Sequence, residues 1–122
     1  MELFFFSSTG NLQTLSKKVF GLLKVGNFQN IDSINVYQGN YSSCSFLGMK
    51  MKLEYNSYDY EEDYNFMITI QGDFTSDMVL NEKNIKLFAD IVISILNSNT
   101  DITFAREVND KLIIYKPDSA DL

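Results

Sequence analysis

Two stretches of alternating residues bracket an acidic segment, and this arrangement constrains the fold more than any other feature of the chain. Met49, Met51, Leu53 and Tyr55 alternate with Lys50, Lys52 and Glu54, while Tyr64, Phe66, Ile68 and Ile70 alternate with Asn65, Met67, Thr69 and Gln71. A period of two places successive side chains on opposite faces of a strand. Two such strands joined by a polar run predict an antiparallel hairpin. The connecting run Glu54-Tyr55-Asn56-Ser57-Tyr58-Asp59-Tyr60-Glu61-Glu62-Asp63-Tyr64 holds five carboxylates, four tyrosines and no basic residue. Its charge of −5 is nearly the whole formal net charge of −6. Unpaired carboxylates are too costly to bury in a core, so this segment is expected to face water or a cationic partner.

The remaining pattern alternates between short strands and two helices. Glu2 to Phe6 is an almost continuously apolar run, as expected for a strand covered on both faces. Leu12, Leu15, Val19, Leu22 and Leu23 have helical spacing behind the polar stretch Ser7 to Asn11, which predicts a helix from about Asn11 to Val25. Gly26-Asn27 is its expected stop, and Gly21 is read as a point of close packing on the sheet. A strand is expected from Ile31 to Tyr37, ending at the turn Gln38-Gly39-Asn40. Tyr41 to Tyr55 reads as one extended strand interrupted at Gly48. Ile85, Phe88, Ile91, Val92, Ile95 and Leu96 predict a second helix between Asn81 and Asn97. Ile102 to Val108 and Lys111 to Lys116 flank Asn109-Asp110, a hairpin turn signal, and Pro117 closes the last strand before a frayed tail, 118–122. The order β-α-β-β-β-α-β-β predicts a single α+β domain of two helices packed on a largely antiparallel sheet.

Composition narrows the function classes. At 122 residues the chain is long enough for one core and too short for two. The single Cys44 cannot form an internal disulfide, no apolar stretch is long enough to span a bilayer, and the apolar run Leu3 to Phe6 has neither the basic flank nor the small-residue cleavage site expected of a leader, so the expected compartment is the cytoplasm. Cys44, lacking a basic or histidine neighbour in sequence, is read as a buried structural thiol. There is no histidine, which removes the commonest general base and the commonest transition-metal ligand. No enzymatic activity, cofactor or metal is expected. Residues 1–53 carry five lysines and two acids, a charge of +3, against fourteen acids and five bases, −9, in residues 54–122. Such an acidic chain repels nucleic acid and favours a cationic protein.

The candidate binding residues are Glu54, Tyr55, Tyr58, Asp59, Tyr60, Glu61, Glu62, Asp63 and Tyr64, with Asp73 and Asp77 as expected neighbours. Tyrosine supplies rigid amphipathic contact area and carboxylates receive Lys and Arg in charge-assisted bonds. The plainer reading is a solvated loop that keeps the chain soluble. Asp59, Glu61 and Asp63 alternate as hard oxygen ligands would, but a calcium loop of the EF-hand kind needs a glycine at its sharp turn and a glutamate at its twelfth position, and the glycine is missing. Ser8-Thr9-Gly10-Asn11 lacks the lysine and the glycines of a phosphate loop and is read as a helix cap.

Over residues 37–71 the chain resembles the small immunity proteins of bacterial contact-dependent growth inhibition and related polymorphic toxin systems. The resemblance lies in the acidic α+β layout, the glycine-interrupted segment Ser45-Phe46-Leu47-Gly48-Met49-Lys50-Met51, and the acidic turn leading to a Tyr-x-Phe-x-Ile strand between Asp59 and Ile70. It implies a protein that binds a cognate toxin domain, often a basic nuclease, and blocks its active site or excludes its substrate. An acidic secretion chaperone holding an export segment is the alternative.

Overall fold

The computed structural model describes residues 1–7, 10–35, 37–56, 64–75, 77–99 and 103–115, with side chains at 37 and 99 left aside. Seven strands form one sheet, entirely antiparallel: β1 Glu2–Ser7, β2 Gln29–Asp32, β3 Asn40–Phe46, β4 Met49–Tyr55, β5 Phe66–Gly72, β6 Thr103–Val108 and β7 Lys111–Tyr115. Their order across the sheet is β2-β3-β4-β5-β1-β6-β7. Two helices, α1 Leu12–Leu22 and α2 Glu82–Asn99, pack on one face, α1 over β3 and β4 and α2 over β5 and β1. This is the expected α+β architecture with one strand more.

The extra strand comes from the segment read as one long strand. Leu47 and Gly48 take φ of 53° and 79°, so the chain reverses there, and β3 runs back along β4 with Phe46 opposite Met49. Two consecutive left-handed residues make the tight turn whose twist suits a hairpin. The strand expected from Ile31 to Tyr37 is also shorter. It stops at Asp32, and a single 3-10 turn, Tyr37–Gly39, with Gln38 at φ 66° redirects the chain into β3.

Both helices begin on asparagine. Asn11 Oδ1 accepts the Thr14 amide at 2.8 Å and Asn81 Oδ1 accepts that of Asn84 at 2.9 Å, satisfying amides that have no partner inside the helix. α1 ends earlier than the expected Val25, at Leu22, with Leu23 as its cap. The amide of Lys24 donates to Gly21 at 3.1 Å and that of Val25 to Phe20 at 2.8 Å, with Lys24 at φ 62°. A lysine, not Gly26, thus takes the left-handed position of the cap. Gly21 is exposed, and a Cβ there would meet nothing within 4 Å, so it marks no close packing.

The main core lies between the helices and the sheet. Phe4 and Phe6 of β1 and Phe104 of β6 are buried there beside Leu12, Leu15, Val19 and Phe20 of α1 and Ile85, Ala89, Val92 and Leu96 of α2. Met49 and Met51 fill this core, as expected of them. Ser16 donates to the Leu12 carbonyl and lies 2.7 Å from the Ser42 hydroxyl, tying α1 to β3 through a satisfied buried contact. Arg106 leaves the same face near its rim, held by Glu2 at 2.6 Å and Asp90 at 2.7 Å. The opposite face carries no helix. It has a small cluster of its own in which Leu3, Phe5 and Met67 are buried, with Tyr64 and Leu112 against them.

Among the described residues no helix is long and apolar enough to cross a membrane.

Candidate functional site

The two strands flanking the acidic run are paired over their whole length, from Met49 opposite Gly72 to Tyr55 opposite Phe66. The pairing continues one step further. The Asn56 amide donates to the Asn65 carbonyl at 3.0 Å, and its side-chain nitrogen donates to the Tyr64 carbonyl at 2.8 Å. Whatever the acidic run does, its two ends leave a fixed base.

The tyrosines at those ends grip opposite faces of the sheet. Tyr55 lies on the helix face, its ring 5.0 Å from that of Phe66, and Tyr64 lies on the helix-free face, 6.1 Å from Phe5. Both are half-buried; Tyr55 continues the apolar series of Met49, Met51 and Leu53, whereas Tyr64, expected in one series with Phe66, Ile68 and Ile70, lies on the opposite face from them. Glu54, expected to face water or a partner, is instead 8% exposed on the helix-free face. Its carboxylate lies 3.4 Å from Lys52 Nζ, and that ammonium also sits 4.6 Å from the centre of the Tyr41 ring. Local pairing across the face therefore meets the charge of Glu54 before any partner arrives. Tyr58, Asp59, Tyr60, Glu61, Glu62 and Asp63 lie outside the described residues.

Asp73 and Asp77 are not neighbours of this tip. Seven residues of β5 separate Asp73 from the hairpin end, roughly 20 Å at the usual rise of a strand, so both acids stand at the far end of the sheet. Asp73 accepts the Thr75 amide at 3.0 Å and the Thr75 hydroxyl at 2.6 Å. These bonds hold its carboxyl below the usual range. It is thus committed to shaping its own loop.

That far end has a surface the sequence reading passed over. Leu47, Phe74 and Met78 are 79%, 84% and 81% exposed, around the tight turn at Gly48. A visible signal existed, since Phe74 and Met78 are large apolar residues within a polar loop flanked by two aspartates. Between the two ends, Lys50, Lys52, Glu54, Thr69 and Gln71 line a shallow polar hollow on the helix-free face.

Cys44 is a free thiol, 4% exposed, its pKa pushed up to about 11 by burial against a small opposing effect of a backbone hydrogen bond from Met51. A thiol so suppressed is a poor nucleophile. No group of three or more Cys, Asp or Glu among the described residues is placed to hold a metal ion. Comparison with protein-family models, with curated proteins and with solved structures found no match to this chain.

Proposed function

We propose that this chain is an immunity protein that binds a cationic toxin domain through the acidic tip between Tyr55 and Tyr64, acting in the cytoplasm without turnover or cofactor. One observation carries the reading. The run between Tyr55 and Tyr64 carries a charge of −4 and two tyrosines and joins two fully paired strands, so dense negative charge is rooted at one end of the sheet. Removing Glu54, Tyr55 and Tyr64 from the contact set leaves Asp59, Glu61, Glu62 and Asp63, with Tyr58 and Tyr60, as the residues that meet the partner. Clustered charge of one sign steers encounter with an oppositely charged surface and raises association rates by about 10-fold to 1,000-fold. Tyrosine then contributes contact area once water is displaced. The likeness to immunity proteins supplies the class of partner, a basic nuclease domain whose active site or substrate path the tip covers.

The exposed Leu47, Phe74 and Met78 favour a second reading, an acidic secretion chaperone that holds an extended export segment by apolar contact. The two separate on the state of the ligand. An immunity protein binds one folded, toxic domain; a chaperone binds an unfolded segment.

The test is to find whether a reading frame beside this chain encodes a basic toxic domain, to co-produce the two, and to measure binding kinetics at several salt concentrations. Rescue of growth, with association slowing steeply as salt rises and slowing again in D59N/E61Q/E62Q/D63N, is the expected result. Salt-independent association, or unaltered affinity in that variant, moves the contact away from the tip.

A further inference from the structure

The sheet ends in two edges of opposite character. β2 is four residues long, Gln-Asn-Ile-Asp, and only Ile31 is not exposed. A short polar edge of this kind resists pairing with another chain. β7 reads Lys-Leu-Ile-Ile-Tyr, without proline, paired to β6 without a bulge, and charged only at its first residue. Ile113 and Ile114, which point to opposite faces, are 45% and 55% exposed. Among the described residues, none of the usual protections of an edge is present between Leu112 and Tyr115.

The turn before β7 fixes which backbone groups face outward. Asn109 and Asp110 take φ of 52° and 65° and close on the pair Val108 and Lys111. In a two-residue hairpin the closing pair exchanges both hydrogen bonds, and bonded and non-bonded pairs alternate from there. Lys111, Ile113 and Tyr115 therefore turn their N–H and C=O groups toward β6. Leu112 and Ile114 turn theirs away from the sheet, and among the described residues no strand lies beyond them.

We propose that β7 pairs with β7 of a second copy of this chain, antiparallel about a two-fold axis through Ile113, joining the two sheets into one. That register sets Leu112 opposite Ile114 of the second copy, so both outward-facing residues of each strand exchange their hydrogen bonds. Their side chains meet on the helix-free face, while Ile113 meets its counterpart on the helix face. Lys111 falls opposite Tyr115, whose ring attracts a cation, and no like charges oppose one another. β2 presents an exposed acid, Asp32, and no comparable apolar pair. The dimer does not depend on a toxin partner.

Sedimentation of the full chain from micromolar to near-millimolar concentration is the first measurement. The expected result is a species of twice the 14.0 kDa chain mass at the upper end. Ile114→Pro removes an outward N–H that β6 does not use, so it should give a folded monomer, as judged by circular dichroism. Ile113→Cys gives a reading independent of that variant's folding. Identical residues on the axis are a non-bonded pair, about 4.5 Å apart at Cα, which lies within disulfide range. Mild oxidation should cross-link Ile113→Cys to itself much faster than Leu112→Cys, with buried Cys44 taking no part. A monomer at every concentration, or a dimer that survives Ile114→Pro while Ile113→Cys fails to cross-link, would overturn the pairing.

Discussion

The carbonyl oxygen of Gly48 accepts the amide of Leu80 at 2.8 Å, fastening the turn between β3 and β4 to the segment that leads into α2. The same oxygen accepts the Asp73 amide at 3.0 Å, so one turn residue holds both ends of the β5–α2 connection. Contact this close is possible only without a side chain. A Cβ on Gly48 would lie 2.0 Å from the Met78 carbonyl oxygen and 2.9 Å from the Leu80 nitrogen, both backbone atoms that cannot rotate aside.

Gly48→Ala should therefore be among the most damaging single substitutions in the chain. It combines a left-handed conformation, φ 79°, with a backbone clash. The expected loss is about 3 kcal/mol or more, read as a lower urea midpoint with little change in slope. A loss under about 1 kcal/mol would show that the connection yields easily, contrary to the two bonds that pin it.

Gly21→Ala should act in the opposite direction. Gly21 lies in the last turn of α1, exposed, with open space where a methyl group would go. Alanine restricts the unfolded chain and suits the helix, so stability should rise by about 0.5–1 kcal/mol. Any destabilisation would mean that the final turn of α1 is held by something other than its own cap.

Burial of Cys44 predicts a specific pH dependence. Its folded pKa, about 11, is raised above the ordinary 9.0, so the unfolded chain releases this proton more readily than the folded one. Stability should be level below pH 9 and decline as pH rises from about 9 toward 11, a decline on the order of 2 kcal/mol from this group alone. Cys44→Ala should remove that part of the slope. A disulfide reagent at pH 8 should label the native thiol far more slowly than the denatured one; equal rates would contradict its burial.

The sequence carried the layer architecture because burial on one face imposes a period that strands and helices cannot share. Met49 to Tyr55 and Phe66 to Ile70 spelled out the central hairpin, and Asn109-Asp110 spelled out the last. The turn at Leu47-Gly48 escaped because an apolar leucine there mimics the strand it ends. Its trace was a break in phase, since Ser42, Cys44 and Phe46 face the helices on even numbers and Met49, Met51 and Leu53 on odd ones. Lys24 in a left-handed cap had no such trace, because the hydrogen bonds that hold it there come from the helix as a whole. Glu54 was misjudged for a related reason. A charge run looks uniform along the chain, whereas the strand period of two sets Glu54 apart by placing it on the same face of β4 as Lys52.

The division between the roots and the tip of the acidic hairpin gives a final test, because the two sets of residues should fail in different ways. Tyr55→Ala removes a half-buried ring from Phe66 and Tyr64→Ala removes one from Phe5, so each should cost about 2 kcal/mol of stability. Under the proposed function, such proteins, where folded, should still associate with a toxin domain near the normal rate. D59N/E61Q/E62Q/D63N should leave thermal stability unchanged or slightly higher, since like charges crowded in one segment repel one another. Its association should slow about 10-fold or more at low salt, and the difference from the unaltered protein should shrink as salt screens the remaining field. If the tip variant instead unfolds while the tyrosine variants lose only binding, the carboxylates support the fold, and the tyrosines at the roots are the true contact.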